Sequence, residues 1–496
     1  MDSFTSWFES RNGTLDSTSM TITEIPGHGR GAIALRDIPE GHTLFTIPRD
    51  LTLSTRTSAL PSLLGNVEWK RFGLDVGWAG LILCMLWEEA QGPLSKWSGY
   101  ISVLPSEFDT PMFWSLTELE ELKGTAVVDK IGKDDAERDF YDKVIPTVQS
   151  RPELFPPKSK HLHYTLENYH LMGSRILSRS FTVSKWTDDL ENVEPSGDAS
   201  ANGANGNVDN TGMEVDESPI NGAEQEPDSM EESEDEHVED IDDPSDVAMV
   251  PMADMLNARF ESENAKLFYE QHNLKMITTK HVKAGEQIWN TYGDPPNSDL
   301  LRRYGHVDVV PLCAPLTGEG NPEDVVEVRA DLVVSAASNA SSEHLQERID
   351  WWLENTDDDT FIIGTDCQLP EDLISFIRLL LQTDMEWEKT KKKSKLPKPS
   401  LDAEVFPVAI ELLVKRLSEY PTTVQEDESL LNEPSKLTTR KRNAIVVRLG
   451  EKYILQGTMN ELHKSREALR ASEKDKNKRK SSHHSDATTT SKKARR

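Results

Sequence analysis

Two tyrosines, Tyr292 and Tyr304, each stand directly before a glycine in the segments GEQIWNTYG (Gly285–Gly293) and NSDLLRRYG (Asn297–Gly305). A phenol has an apolar ring and a polar tip, so such a pair can wall a channel and aim hydroxyls into it, or can simply be two half-buried tyrosines at strand ends. Upstream, VPMADMLNA (Val250–Ala258) places Asp254 and Asn257 in an otherwise apolar sentence. A buried carboxylate and amide need partners, so this is either a capped helix start or a pair that holds a ligand. ILSRSF (Ile176–Phe181) sets Arg179 in an apolar helical run. Its guanidinium either snorkels to the surface or reaches a carboxylate, such as the amino-acid end of a cofactor. Finally, His28-Gly29-Arg30-Gly31 is a glycine-spaced turn that lets backbone approach a ligand closely. It lacks the strand–turn–helix setting of a dinucleotide fold, which excludes a Rossmann reading.

These four stretches need elements to bring them together. Thr21–Ile25, Ala32–Leu35 and Thr43–Ile47 read as short strands punctuated by Pro26-Gly27 and Asp37-Ile38-Pro39-Glu40-Gly41. From about residue 55 to 180 the apolar period becomes helical, with Trp78 to Trp87 as a fully buried helix. Strand-like text returns at Val247–Val250, in a hairpin of Lys266–Tyr269 with Leu274–Thr278, and at Glu286–Trp289. Beyond about 310 the pattern is helical, with Ile445, Leu449 and Tyr453 on one helix face and Lys391 to Pro399 as an exposed basic loop.

Composition narrows the class. The formal charge is −31, but Asp188 to Asp246 carries 22 acidic residues and no Lys or Arg, which leaves −9 for the rest. That stretch cannot bury enough apolar surface to offset its ordering entropy and is expected to be disordered, a solvated spacer or a mimic of nucleic acid toward basic tails. Cys84, Cys313 and Cys367 lie far apart, which argues against a cysteine zinc site and a disulfide framework, and points to a reducing compartment. With Asp2, Glu9 and Arg11 near its start, the chain has no signal-peptide pattern, and no apolar run is long enough for a membrane span. The clusters Lys476–Lys480 and Lys492–Arg496 read as a two-part nuclear import signal or a solvated tail. No aromatic residues are interleaved among them, so specific nucleic-acid readout is not expected.

Taken in order, GHGRG, SRSF, PMADMLN and GEQIWNTYG with NSDLLRRYG resemble the SET-domain protein methyltransferases. More narrowly, the pattern is similar to the subgroup typified by the plant Rubisco large-subunit methyltransferase, and within it to the fungal branch that modifies ribosomal protein L42. Supporting text includes Trp97–Ile101, Thr110–Trp114 and Arg442–Lys452. The resemblance implies an α+β fold: a SET β-fold of small sheets around a pseudoknot-like core with a helical insertion, then an all-α C-terminal domain. Expected boundaries are an N-terminal helix over 1–18, a SET domain over 19–292, a helical substrate-binding domain over 293–470 and a disordered basic tail over 471–496. The helical insertion would fill about 55–170 and the acidic insert 188–247.

The resemblance also implies S-adenosylmethionine as cofactor, no metal, a lysine-bearing protein substrate of ribosomal type, and a monomeric chain. His28, Gly29 and Arg30 would hold the cofactor's amino-acid end through backbone groups, and Arg179 and Asp254 would flank its pocket. Asn257 would hydrogen-bond the cofactor. Ala258 stands where the family has a histidine whose contact is made chiefly by main chain, which alanine supplies. Tyr292 would be the active-site tyrosine and would also touch the cofactor, with Tyr304 and Tyr269 walling the lysine channel. Two rivals remain open here: a non-catalytic SET-fold binding module, and a methyltransferase acting on histidine.

Overall fold

The computed structural model describes residues 2–25, 29–186, 243–337, 344–356 and 359–489. Its contacts divide into two compact units. The first comprises 1–113, 129–294 and 302–305; the second comprises 114–128, 295–301 and 306–496.

The first unit opens with the helix Asp2–Ser10, whose Phe4 and Phe8 lie one turn apart and are fully buried. Nine short strands follow: β1 (Thr14–Leu15), β2 (Met20–Ile25), β3 (Gly29–Ala34), β4 (Thr43–Pro48), β5 (Ser180–Thr182), β6 (Val247–Met249), β7 (Ala265–Tyr269), β8 (Asn273–Thr278) and β9 (Gln287–Ile288). They form a four-stranded sheet ordered β1-β4-β8-β7, a three-stranded sheet ordered β2-β3-β9, and the pair β5-β6. Alternation explains them: in β8, Leu274, Met276 and Thr278 are buried while their neighbours are half-exposed. A parallel bridge joins Ala258 to Asn290, so chain from after β9 lies beside chain from before β7. Between β4 and β5 comes the helical insertion, where Ala79–Gln91 buries every residue from Ala79 to Leu86 and the amphipathic Leu166–Arg179 packs on it.

The second unit is mostly helical, built on Glu371–Leu381, Val405–Ser418 and the long helix Thr439–Thr489. Its apolar core gathers Trp352, Phe361, Phe376 and Trp387.

Four expectations need correction. The N-terminal helix stops at Ser10 rather than 18, because Asn12 takes a positive φ of 67° and Thr14–Leu15 pairs with β4. The C-terminal domain is not all-α: it holds two antiparallel strand pairs, β10 (Val310–Pro311) with β11 (Glu319–Gly320), and β12 (Val325–Arg329) with β13 (Thr360–Gly364). The alternating VVEVR and TFIIG segments bury one face each, as a two-residue period requires. Lys391–Lys393 are not loop but the last turn of the helix Asp384–Lys393, where positive charge suits the helix dipole. The last helix also continues past 470 to Thr489, through a run without glycine or proline, in place of the expected disorder; residues 490–496 of the expected tail lie outside the described residues. The acidic insert lies outside the described residues except for 243–247, which carry a short 3-10 turn and the start of β6.

Candidate active site

Met252 adopts φ +77, an uncommon conformation for a side chain that is itself fully buried. That turn sends the chain into the 3-10 segment Ala253–Met255 and buries the Asp254 carboxylate. Tyr100, wholly buried, donates its hydroxyl to Asp254 Oδ2 at 2.8 Å. Arg179, the last residue of its helix, donates from Nη1 to the Asp254 main-chain oxygen at 2.6 Å and lies 3.8 Å from Oδ2. Burial pushes the Asp254 carboxyl up to about 6, with Arg179 and the Tyr100 hydrogen bond opposing it.

These groups face a cavity of about 180 Å³. Arg179, Asp254, Tyr269, Tyr292 and Tyr304 all line it, together with Trp78, Leu177, Phe181 and Asn290. The Tyr292 and Tyr304 rings stack with centroids 4.2 Å apart and planes 5° from parallel. Tyr304 ends the helix Asn297–Tyr304, and Gly305 follows at φ +78, where a Cβ would come within 3.0 Å of Asp109 backbone. Glycine is therefore required to turn the helix end and present Tyr304. Burial raises the Tyr292 hydroxyl above its usual range and pushes Tyr269 to about 12, so both keep their protons at neutral pH.

Asn257 and Ala258 do not line this cavity but adjoin it. The Asn290 N–H donates to the Asn257 carbonyl at 2.9 Å, and the Ala258 bridge runs through main chain. Gly31 on β3 sits against the Asn257 amide so closely that a Cβ there would stand 2.7 Å from Nδ2. The glycine-spaced stretch thus reaches the same neighbourhood through β3. Arg30 is anchored by donating to the Val103 carbonyl at 2.8 Å, beside Glu24 at 3.4 Å, and its charge reaches Asp254. Gly29 takes φ +67 at the start of β3. His28 lies outside the described residues.

Tyr100 was given no role by the sequence, although Asp254 in an apolar setting calls for a buried donor. Trp78, Leu177 and Phe181 carry no signal that separates a cavity wall from core. Asp254 Oδ1 and Arg179 Nε are buried without a hydrogen-bond partner among the described residues. Buried polar atoms left unpaired beside a cavity fit a polar, charged ligand such as an amino-acid-bearing cofactor. Among the described residues no acidic, histidine or cysteine cluster fits a metal ion, and no helix is long and apolar enough to cross a membrane.

The chain is similar to known proteins in sequence and in fold. The chain is 28% identical to ribosomal lysine N-methyltransferase 4 of Saccharomyces cerevisiae over 396 residues, covering 77% of this chain and 70% of the relative. It is 27% identical to human N-lysine methyltransferase SETD6 over 461 residues, covering 86% and 83%. Rubisco LSMT bound to sinefungin and monomethyllysine superposes with a TM-score of 0.61 at 20% identity, over 94% of this chain and 92% of that one. A second Rubisco LSMT structure, bound to AdoMet, gives a TM-score of 0.60 at 19% identity, over 94% and 91%. The Rubisco LSMT substrate-binding family matches residues 339–455. The SET domain family matches residues 29–293, more than half the chain and all of the cavity wall except Arg303 and Tyr304, and the chain belongs to that family.

Proposed function

We propose that this SET-domain enzyme, an S-adenosylmethionine-dependent protein-lysine N-methyltransferase, adds a single methyl group to a lysine of a ribosomal protein. The observation that carries the lysine reading is the stack of Tyr292 on Tyr304 in a cavity that Tyr269 also walls. Three phenols around a narrow space suit a linear alkylamine. The yeast relative, named for ribosomal lysine methylation, supports the substrate class.

When bound, S-adenosylmethionine supplies an electrophilic methyl on a cationic sulfonium; the protein's task is to make the amine neutral and aim it. A lysine with pKa about 10.4 costs about 4.6 kcal/mol to deprotonate at pH 7. The aromatic walls lower that cost by stripping water from the ammonium, since burial disfavours its charged form. Tyr292 keeps its own proton, so it orients the amine rather than acting as the base. The stacked rings hold the side chain in line, and alignment of this kind supplies several kcal/mol of the barrier. Arg179 and Asp254 balance each other's charge at the cavity wall. The basic clusters near 476–480 and 492–496 support action in the nucleus.

The test is mass spectrometry of the ribosomal proteins of cells with and without this enzyme. One monomethyl-lysine should vanish from a ribosomal protein, and Tyr292→Phe should not restore it. In vitro that variant should lose roughly 100-fold in turnover, as removal of a single transition-state donor does, while calorimetry shows S-adenosylmethionine affinity nearly unchanged. Loss of the mark from a non-ribosomal protein only would overturn the substrate assignment, and near-normal turnover in the variant would remove Tyr292 from the chemistry.

A further inference from the structure

A second cavity of about 170 Å³ lies beside the first, with Trp78, Ile82, Met112, Gly173 and Leu177 among its walls. Trp78 and Leu177 face both spaces. Lys130, Asp139, Tyr169, Ser174 and Arg302 give it a polar side as well, and two further polar side chains on its wall, Thr110 and His170, stand apart from these. Thr110 is 1% exposed, and its buried hydroxyl has no hydrogen-bond partner among the described residues. His170 has a side chain 10% exposed, and neither ring nitrogen makes a hydrogen bond; Glu137 stands 3.9 Å from Nε2, too far to make one. Burial lowers the imidazole pKa, which leaves a neutral ring with one acceptor and one donor nitrogen. Each such group left unpaired costs about 1–3 kcal/mol. A ligand with a flat apolar body and one hydroxyl would relieve both.

We propose that this cavity is a specificity pocket for a tyrosine side chain of the protein substrate, close in sequence to the acceptor lysine. The inference rests on the lysine-methyltransferase reading above and deepens it. The phenol donates to the bare nitrogen of His170 and accepts from the Thr110 hydroxyl, while its ring packs on Trp78. Leucine or phenylalanine fills the same room but leaves the two polar groups unpaired, so tyrosine is selected over phenylalanine as well as over alanine.

Gly173 provides a means of closing the pocket without unfolding the protein. It lies on the helix Leu166–Arg179, and a Cβ built there meets nothing nearer than Ile82 Cδ1 at 3.6 Å. The experiment measures methylation of a lysine-centred peptide library in which each flanking position is varied in turn, using labelled S-adenosylmethionine and the full chain. Wild type should favour tyrosine at one fixed offset, with KM at least about tenfold lower than for phenylalanine there, a difference of about 1.4 kcal/mol. Gly173→Leu should erase that preference while methylating alanine-flanked peptides at the wild-type rate. His170→Phe should keep aromatic preference but cease to distinguish tyrosine from phenylalanine. No tyrosine preference in wild type, or one that survives Gly173→Leu, overturns the pocket and leaves the enzyme reading intact. If the chain binds S-adenosylmethionine yet methylates no lysine peptide of the library, the lysine reading falls and the pocket with it.

Discussion

Asp254 has its carboxyl sealed under Tyr100 on one side and Arg179 on the other. Its pKa is pushed to about 6, the cause being burial. The sign of the resulting pH dependence follows directly. Above about 6 the group is charged and sets an anion behind the cavity wall; below it the group takes a proton and the attraction for a cationic ligand disappears. S-adenosylmethionine affinity in wild type should therefore fall as pH drops through about 6. Asp254→Asn, neutral throughout, should bind more weakly at pH 7 and show a flat profile from 5 to 7. Titration calorimetry at three pH values decides this; parallel profiles for the two proteins would mean that another group titrates. The aspartate was legible in the sequence as a carboxylate needing partners. Its partner Tyr100 was not, because a buried tyrosine in a helix–turn segment looks like ordinary core.

Strand β3 does the positioning at the next scale. It pairs with β2 along six residues and with β9 at Ala32 and Ile33, which holds Gly31 against the Asn257 amide. A Cβ on Gly31 would stand 2.6 Å from Ile25 Cδ1 and 2.7 Å from Asn257 Nδ2. Gly31→Ala must push the amide aside, and S-adenosylmethionine affinity should drop by about tenfold, or about 1.4 kcal/mol, with only a small fall in thermal stability. An unchanged Kd would show that Asn257 does not meet the cofactor. Most strands were readable from alternation and turn residues within a residue or two at their ends, but β3 begins three residues earlier than its alternation, among glycines, and the short β1 and β5 were not read as strands. The C-terminal strand pairs were not read, because β12 is only five residues long, finds its partner beyond two helices and stands among strong helical patterns.

Across the whole molecule, buried charge is concentrated in the second unit. Arg448, fully buried, donates to Asp427 at 2.7 Å and to the Glu121 carboxylate at 3.0 Å, and Lys452 also bonds Asp427. Removing Arg448 leaves the buried Asp427 with Lys452 as its one remaining cation, so Arg448→Met should destabilise the protein by about 3 kcal/mol, the lower end for a broken buried pair. The double variant Arg448→Met with Asp427→Asn should cost less than the two single changes together, as chemical denaturation would show. Additive costs would mean the groups act independently. Sequence periodicity placed the helix face of Ile445 and Leu449 but gave no hint of this network, since Asp427 and Arg448 are brought together by packing of separate helices.

The pairing of β5 with β6 has one more implication. Thr182 sits opposite Val247, so the chain from 183 to 246 leaves and re-enters at one and the same end of a short antiparallel ladder. Closing such an excursion costs only about 0.6 kcal/mol more for each doubling of its length. Lengthening or shortening the chain between Trp186 and Asp243 is therefore cheap for the ladder, whereas Asp243 and Asp246, both paired with Arg56, tie its near end down.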